Sequence, residues 1–349
     1  MARKADFAGG RCVRRGPAES QALGTFHPND PTFATTVVKS ENSNYCARNQ
    51  GMRLVNYERD GQERPGVIVN DLGDILDIQS VMPNMASLND LVDAGYKALD
   101  LLAGHVRQSK EKATVIPAAS ARLLAPIAQP HRNIFCVGKN YHEHAKEFHD
   151  SGFDASAGKD AIPKHPIIFS KSLTTVIGPN EPIPASADWT NSVDYEAELA
   201  VVIGRGGRNI KKNDAYEHVF GYTIINDVTS RTLQHQHKQW FIGKNLDGFC
   251  PMGPWLVTAD EVGNVDELQV TARVNGELRQ CALVRDLIFD IPTLIETLSR
   301  AMTLRSGDII ATGTPAGVGI GFDPPKFLKP GDRVTISITK LGTLENPVA

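Results

Sequence analysis

The sequence predicts an α+β fold built around a β-sandwich or roll. Beyond residue 130 most segments are short and rich in β-branched and aromatic residues, which favour strands. Helical patterns there cover only residues 140–148 and 290–302, the second with Asp290 as a cap and Pro292 in its first turn. Strands therefore do not alternate with helices, which argues against a doubly wound parallel sheet. The predicted strands are NIFCVG, PIIFSK, AELAVVIG, VFGYTIIND, PWLVT, LQVTARVNG, DIIATG and RVTISIT.

The start of the chain differs from the rest. Residues 1–51 are basic and glycine-rich at first and show neither helical nor strand periodicity. Such a composition predicts a disordered extension. Its arginine-rich, acid-poor beginning would also fit an organelle transit peptide, and Met52 would fit as a natural start.

The next region is predicted to be a small N-terminal α+β domain over residues 52–125. It contains the strand patterns MRLVNYE, RPGVIV and DILDI. A helical pattern follows, with Ser87 or Asn89 as a candidate cap. A segment interrupted by proline then leads into the larger domain, residues 126–349.

Composition narrows the classes of function. The 349 residues are 41% hydrophobic and 22% charged with a net charge of −3, so the charge balance does not indicate a nucleic-acid partner. The sequence contains no run of 18 apolar residues, so it does not predict a membrane span. The five cysteines are widely spread without a C-x-x-C pair, which argues against a zinc knuckle and is typical of a reducing compartment. We therefore expect a cytoplasmic protein, or a mitochondrial one if residues 1–51 are a transit peptide.

One predicted strand is acidic. In SVDYEAELAVVIG, residues 192–204, apolar side chains alternate with Asp194, Glu196 and Glu198. Side chains in a strand alternate between faces, so Glu196 and Glu198 share a face, roughly 7 Å apart. Their repulsion is relieved either by water on an exposed face or by a cation bound between them.

A third acid favours the cation. Asp227 directly follows the strand pattern VFGYTIIN, so we expect it at the mouth of a core strand. Three carboxylates without cysteine or histidine at ligand spacing suit a hard cation such as Mg²⁺ or Mn²⁺. An acid at the end of a strand can also simply belong to a turn.

A histidine and a glutamate form a second group of candidates. NIFCVGKNYHEHAKEF predicts a strand that runs into a helix, on which His144 and Glu147 are three residues apart and share a face. A carboxylate beside an imidazole raises its pKa and holds it as a base. The same pattern would also fit an exposed polar helix.

Polar residues are concentrated in TSRTLQHQHKQWFIGKNLDGF, directly after Asp227. This segment supplies Arg231, Gln234 and Lys244. The two histidines of HQH, residues 235–237, lie in a polar stretch and indicate a surface rather than a metal site.

A glycine-rich segment, GDIIATGTPAGVGIGF, follows a predicted strand. Pro315 and the lack of a following helix argue against a nucleotide phosphate loop. A tight loop that offers backbone N–H groups and the Thr314 hydroxyl to an anion fits better.

Together and in order, these motifs resemble the fumarylacetoacetate hydrolase family, from about residue 130 to the last residue. Within it the chain is most similar to the acylpyruvase-like branch related to fumarylacetoacetate hydrolase domain-containing protein 2, which has a small N-terminal domain. The resemblance implies the family's mixed β-sandwich or roll as the catalytic domain, and a homodimer. It rests on VGKNYHEHAKE, IIFSKS, VDYEAELAVVIG, GYTIINDVTSR, GKNLDGFCPMGPW, VNGE, GDIIATGTPAGVG and LKPGDRV.

The resemblance assigns the acids and the histidine. Glu196, Glu198 and Asp227 match the family's metal carboxylates. His144 and Glu147 match a dyad that activates water in the acylpyruvase branch.

It also implies roles for the remaining polar residues. Lys171, in FSKS, and Lys244, in GKNLDG, match lysines that face the substrate. Arg231 and Gln234 match polar groups beside the metal that hold a substrate oxygen. Thr314, in GTPAG, matches a contact to the substrate carboxylate.

The activity that the resemblance implies is hydrolytic. A divalent ion would stabilise an enolate while the C–C bond of a β-diketo acid, of the acylpyruvate or fumarylpyruvate type, is cleaved. The same chemistry also permits tautomerisation or decarboxylation of oxaloacetate, or isomerisation or hydration of a dienoate. In each case the partner is a small 2-oxo acid, with no nucleic acid or membrane involved.

Overall fold

Three β-sheets form the framework of the protein in our computed structural model, which describes residues 51–108, 114–154 and 161–349. Residues Asn49–Ala349 form one unit by their contacts. The predicted extension falls on residues 1–51, of which 1–50 lie outside the described residues. That extension and the predicted boundary near residue 125 stay predictions.

Most of the segments predicted to be strands are strands in the structure. The strands are β1 Arg53–Arg59, β2 Gln62–Ile68, β3 Ile75–Asp77, β4 Val115–Ile116, β5 Arg122–Leu124, β6 Ile134–Gly138, β7 Ile167–Lys171, β8 Val176–Ile177, β9 Val193–Asp194, β10 Ala197–Ile203, β11 Val219–Asn226, β12 Thr229–Ser230, β13 Cys250–Thr258, β14 Gln269–Val274, β15 Glu277–Leu283, β16 Ile309–Ala311, β17 Arg333–Ile338 and β18 Gly342–Pro347.

The largest sheet joins both predicted domains. Its strand order is β4-β3-β2-β1-β13-β11-β10-β16-β6-β7, with β5 paired to β1 and β8 to β13. Most neighbours are antiparallel, but the pairs β16–β6 and β13–β8 are parallel. The other sheets are the pair β12-β9 and the four-stranded β15-β14-β17-β18. The predicted α+β class is confirmed.

Helices are few among the described residues. They are α1 Ile78–Val81, α2 Leu88–Gln108, α3 His142–Asp150, α4 Arg231–Gln236, α5 Phe241–Lys244, α6 Ala259–Val262 and α7 Ile291–Ala301. The predicted α3 and α7 are confirmed, and Asp290 caps α7 by accepting a hydrogen bond from the Thr293 N–H (2.8 Å). The sequence missed α1, α4, α5 and α6 because a helix of four to six residues is too short to show a period. No described helix is long and apolar enough to cross a bilayer.

Of the two candidate caps for α2, the structure selects Ser87. Its hydroxyl accepts a hydrogen bond from the Asp90 N–H (3.2 Å), and the Asp90 carboxylate accepts one from the Ser87 N–H (2.9 Å). This reciprocal pair satisfies N–H groups that the first turn leaves free. Asn89 instead donates to the Gln129 carbonyl (2.7 Å).

The acidic strand β10 is buried on both faces, so the alternative of a water-exposed acidic face is wrong. Leu199 and Val201 pack into one apolar core, which includes residues of β14, β17 and α7. Ala200 and Val202 pack into a second core, which includes residues of α2 and β1. Glu198 is therefore 1% exposed, and water does not screen its charge.

Candidate active site

The three acids predicted as metal ligands converge where β10 and β11 pair. Glu196 lies in the short break between β9 and β10, Glu198 lies on β10, and Asp227 directly follows β11. Ala197 pairs with Asn226 across the two strands, and the Asp227 N–H donates to the Glu196 carbonyl (2.9 Å). One oxygen from each of the three buried carboxylates lies within 4.8 Å of the others.

Two buried lysines contact this triad. Lys171, at the end of β7, places its Nζ 2.8 Å from Asp227 Oδ1. Lys244, at the end of α5, places its Nζ 2.7 Å from Glu196 Oε2 and 2.8 Å from Asp227 Oδ2. Lys171 also donates to the carbonyls of Val228 (3.0 Å) and Lys244. The lysines are thus held by fixed oxygen partners, which offsets the cost of burying their charges.

Arg231 connects the triad to an acid that had no predicted role. Its Nε lies 2.9 Å from Asp194 Oδ2, and its Nη1 lies 2.7 Å from Glu196 Oε1. Nη1 also donates to the Gln234 side-chain carbonyl (3.2 Å). The remaining nitrogen, Nη2, is buried without a hydrogen-bond partner in the described structure. Buried donors are almost always satisfied, so Nη2 has a free donor for a ligand.

The surroundings separate the acids electrostatically. Burial and the charges of Asp227 and Glu196 raise the pKa of Glu198 well above its usual range. Burial would also raise the pKa of Glu196, but Lys244, Arg231 and His144 outweigh it and lower that pKa to about 2. Glu198 accepts a hydrogen bond from the Gly313 N–H (2.8 Å), which compensates its charge far less than a cation would. The negative charge of the triad is therefore only partly neutralised by the protein. Its carboxylate oxygens are ligands that fit a hard divalent cation.

His144 is buried and the Glu147 side chain is 15% exposed, so the alternative of an exposed polar helix is wrong for these two side chains. His144 Nδ1 lies 3.2 Å from Glu147 Oε2. The Glu147 oxygens also accept from the Gly317 N–H, at 2.9 and 3.2 Å. His142 and Glu143, on the same helix, are exposed. Glu147 thus fixes the orientation of one ring nitrogen and leaves Nε2 for a reaction.

The glycine-rich segment after β16 donates backbone N–H groups to carboxylates of the site itself. A side chain would block one close approach, because a Cβ added at Gly321 would lie 1.8 Å from Glu147 Oε1. One segment thus holds three acids from two separate parts of the chain, the helix α3 and the motif of β9 and β10. The bonds run from Gly313 to Glu198 (2.8 Å), from Gly317 to Glu147 (2.9 Å), and from Gly319 (2.6 Å) and Ile320 (3.1 Å) to Asp194.

All ten site residues predicted from the sequence lie in one region. Six of them line a common cavity: His144, Glu196, Arg231, Gln234, Lys244 and Thr314. The other four, Lys171, Glu198, Asp227 and Glu147, contact cavity-lining residues or belong to the triad. Their individual roles stay predictions.

Aromatic side chains form the apolar wall of the cavity. Trp240 packs edge-on against Phe148 and Phe169, with ring centroids 5.8 and 5.3 Å apart. The cavity volume is about 10 Å³, room for a single water molecule.

Sequence reasoning missed two charged residues of the site. Asp194 lies in the same alternating motif as Glu196, so the pattern contained the signal, but a partner across the fold was needed to assign it. Lys139 lines the cavity, has φ of 54°, and forms a buried ion pair with Asp154. It lies in the motif VGKNY, where nothing in the local pattern distinguishes it from a surface lysine.

Fold and site together define a class: an α+β protein with a buried, acid-lined centre whose carboxylates fit a hard divalent cation. The family model described as fumarylacetoacetate (FAA) hydrolase C-terminal matches residues 133–349, and the chain belongs to this family. The relationship extends beyond that domain, because the relatives below align with 81% or more of this chain.

Three relatives show the range of activities that the family includes. The chain is 46% identical to oxaloacetate tautomerase YisK of Bacillus subtilis, over 81% of this chain and 95% of that protein. It is 38% identical to mitochondrial oxaloacetate tautomerase fahd2 of Xenopus laevis, over 85% and 90%. A crystal structure of maleylpyruvate hydrolase from Sphingobium sp. SYK-6, in complex with manganese(II) ion and pyruvate, shares 32% identity at a TM-score of 0.67, over 85% and 99%.

Proposed function

We propose that this protein is a divalent-metal-dependent oxaloacetate tautomerase, which interconverts the keto and enol forms of the acid. The observation that carries this proposal is the 46% identity to a protein of that name across 95% of its length. A second relative of that name aligns over 90% of its length. This favours the alternative activity over the predicted main one, hydrolysis of a β-diketo acid.

Tautomerisation moves a proton between the carbon beside the keto group and the keto oxygen. When bound at the triad, Mg²⁺ or Mn²⁺ supplies positive charge that favours the enolate form of a 2-oxo acid. Arg231 offers its unpartnered Nη2, and Thr314 offers its hydroxyl, to the carboxylate of the acid. Lys171 and Lys244 form buried ion pairs with the Asp227 carboxylate.

Among the candidates for moving the proton, the geometry favours His144 over Lys244. Burial opposes the charge of Lys244, but Asp227 and Glu196 outweigh it and raise its pKa, so this ammonium is a poor base. His144 has one ring nitrogen oriented by Glu147, and its ring lines the cavity. An imidazole exchanges protons near neutral pH, which suits a group that both takes and returns a proton.

Hydrolysis is the second candidate, supported by the likeness to maleylpyruvate hydrolase. In that reaction His144 would take its proton from water instead of from substrate carbon. A substrate panel separates the two: enol-oxaloacetate, an acylpyruvate and a dienoate, with release of CO₂ as the test for decarboxylation. Each is assayed with Mg²⁺, with Mn²⁺ and with EDTA, against the reaction without enzyme.

We expect metal-dependent acceleration of enol-oxaloacetate decay that exceeds turnover of the other substrates. Full activity after exhaustive EDTA treatment would overturn the metal requirement. Faster release of two acids from the acylpyruvate would make hydrolysis the main activity.

The role of His144 is tested on the best substrate of the panel. His144→Ala should keep metal binding but lower kcat by about 10²–10⁴, the usual contribution of a positioned general base. Glu147→Gln should cost less, since it only orients the ring. His142→Ala is the matched control, because that histidine lies on the exposed face of the same helix. An activity of His144→Ala within about threefold of wild type would reject its role as the base.

Assembly and location complete the proposal. We propose a homodimer that acts on a small 2-oxo acid in the cytoplasm, or in mitochondria if residues 1–51 are a transit peptide. Relatives of both bacterial and mitochondrial description are compatible with either compartment.

A further inference from the structure

Gln280 is a fully buried amide outside the cavity, yet it is hydrogen-bonded to two parts of the site. It lies on β15, in the four-stranded sheet, and is 0% exposed. Its Oε1 accepts from the Ala197 N–H (3.1 Å), between the triad residues Glu196 and Glu198. Its Nε2 donates to Thr314 Oγ1 (2.8 Å) and to the Pro315 carbonyl (2.7 Å).

The neighbours of Gln280 permit only one orientation of its amide. The Ala197 N–H can only donate, so the oxygen of the amide must face it. The Pro315 carbonyl can only accept, so the nitrogen must face the loop. Rotating the amide by half a turn would place two donors together at Ala197 and two acceptors together at Pro315, and would leave both buried groups unsatisfied.

This orientation determines the role of the Thr314 hydroxyl. A hydroxyl has one donor hydrogen and two acceptor lone pairs. The N–H of Gln280 uses a lone pair of Thr314 Oγ1, so the hydroxyl hydrogen must be directed elsewhere. Thr314 is buried, lines the cavity, and has no acceptor for this hydrogen in the described structure.

We propose that Gln280 is a positioning residue, which fixes the Thr314 hydroxyl as a donor toward the carboxylate of a bound 2-oxo acid. This inference rests on the proposed function for the identity of that ligand. Gln280 does not contact the ligand and acts through Thr314.

The test is a double-mutant cycle with pyruvate as the probe, in the full-length, Mg²⁺-loaded protein. Gln280→Met keeps the length of the side chain and removes its polar groups. Thr314→Val removes the hydroxyl at nearly constant volume. Pyruvate affinity is measured by calorimetry for both variants, for the double variant, and for Gln269→Leu, a control at a partly buried glutamine on the neighbouring strand.

We expect Gln280→Met and Thr314→Val each to weaken pyruvate binding about tenfold, the usual effect of one hydrogen bond to a charged group. The double variant should bind no worse than Thr314→Val alone, since Gln280 acts only through this hydroxyl. Mg²⁺ affinity should stay within about twofold, because no triad carboxylate is changed. With oxaloacetate, the loss should appear in KM more than in kcat.

A purely structural role for Gln280 predicts additive losses, and additivity would overturn the inference. Unchanged pyruvate affinity in Gln280→Met would overturn it too. If Gln280→Met does not fold, Gln280→Glu takes its place: its carboxylate accepts the Thr314 hydrogen, so pyruvate binding should fall at least as far, and wild-type affinity would refute the argument. A wild-type protein that binds pyruvate but does not tautomerise oxaloacetate would reject the proposed function alone.

Discussion

Replacing either of two triad acids by its amide should abolish metal binding, but only one of the two replacements should destabilise the fold. Asp227 contacts two buried ammonium groups, Lys171 and Lys244, each at 2.8 Å. Glu198 contacts the Gly313 N–H instead, and its charge is opposed by burial and by its acidic neighbours. The two carboxylates are therefore alike as ligands and unlike in what they stabilise.

The magnitude follows from the partners that are left behind. In Asp227→Asn, Lys171 loses its carboxylate and Lys244 keeps only Glu196. Breaking a buried ion pair from one side costs about 3–5 kcal/mol, which at this size lowers the melting temperature by on the order of 10 °C. In Glu198→Gln the side-chain oxygen can still accept from Gly313, and a source of like-charge repulsion is removed. Its stability should equal or exceed that of the wild type.

The assay is thermal unfolding of the EDTA-treated wild type and both variants, repeated with added Mg²⁺. Mg²⁺ should raise the melting temperature of the wild type, because it binds only the folded state, and should not raise that of either variant. Equal destabilisation of the two metal-free variants would refute the charge assignment. A wild-type response to Mg²⁺ in both variants would refute the assignment of the triad as ligands.

Three further predictions concern other parts of the molecule. Burial opposes the charge of Asp188, but hydrogen bonds from its neighbours outweigh it and lower its pKa. Its contribution to stability is therefore present above the unfolded pKa of about 3.9 and is lost as pH falls through the folded value. In urea titrations Asp188→Asn should cost about 1 kcal/mol at pH 7, and a gap to wild type that does not close on acidification would contradict this. Gly321→Ala should lower kcat as Glu147→Gln does, because the added Cβ would displace the Glu147 carboxylate from His144. The control Gly104→Ala, on an open helix surface, should leave kcat unchanged. Normal activity in Gly321→Ala would refute the role of the contact between Gly321 and Glu147. Sedimentation at micromolar concentration should give the mass of two chains, and a mass of one chain would reject the homodimer.

Local pattern was sufficient for most of the fold. The strand β10 and the helix α7 could be predicted because the periodicity and the ends of each element are visible in its own residues. The burial of both faces of β10 could not be predicted from the sequence. Ala200 and Val202 are short apolar residues, and their identity does not indicate which element packs against them. Two-residue strands such as β9 and β12 exist only through their pairing, so no local pattern predicts them.

The site was predicted as a set of residue types rather than as a set of contacts. Resemblance and composition predicted the acids as metal ligands and the lysines as substrate contacts. The geometry added which cation neutralises which acid: Arg231 bridges Asp194 and Glu196, while Glu198 has no such partner in the described structure. These pairings join positions far apart in sequence, and a sequence without an alignment contains no signal for them.

The glycine-rich segment that holds the site acids also sets the order in which the site can be assembled during synthesis. Its bonds close chain separations of 115 residues to Glu198, 170 to Glu147 and 125 to Asp194. Until this late segment leaves the ribosome, these acids lack their backbone partners. Contacts of such long range form slowly, because loop closure must precede any gain in energy. The nascent chain can therefore complete the sheet around β1 and β2 well before it has a centre able to bind a metal ion.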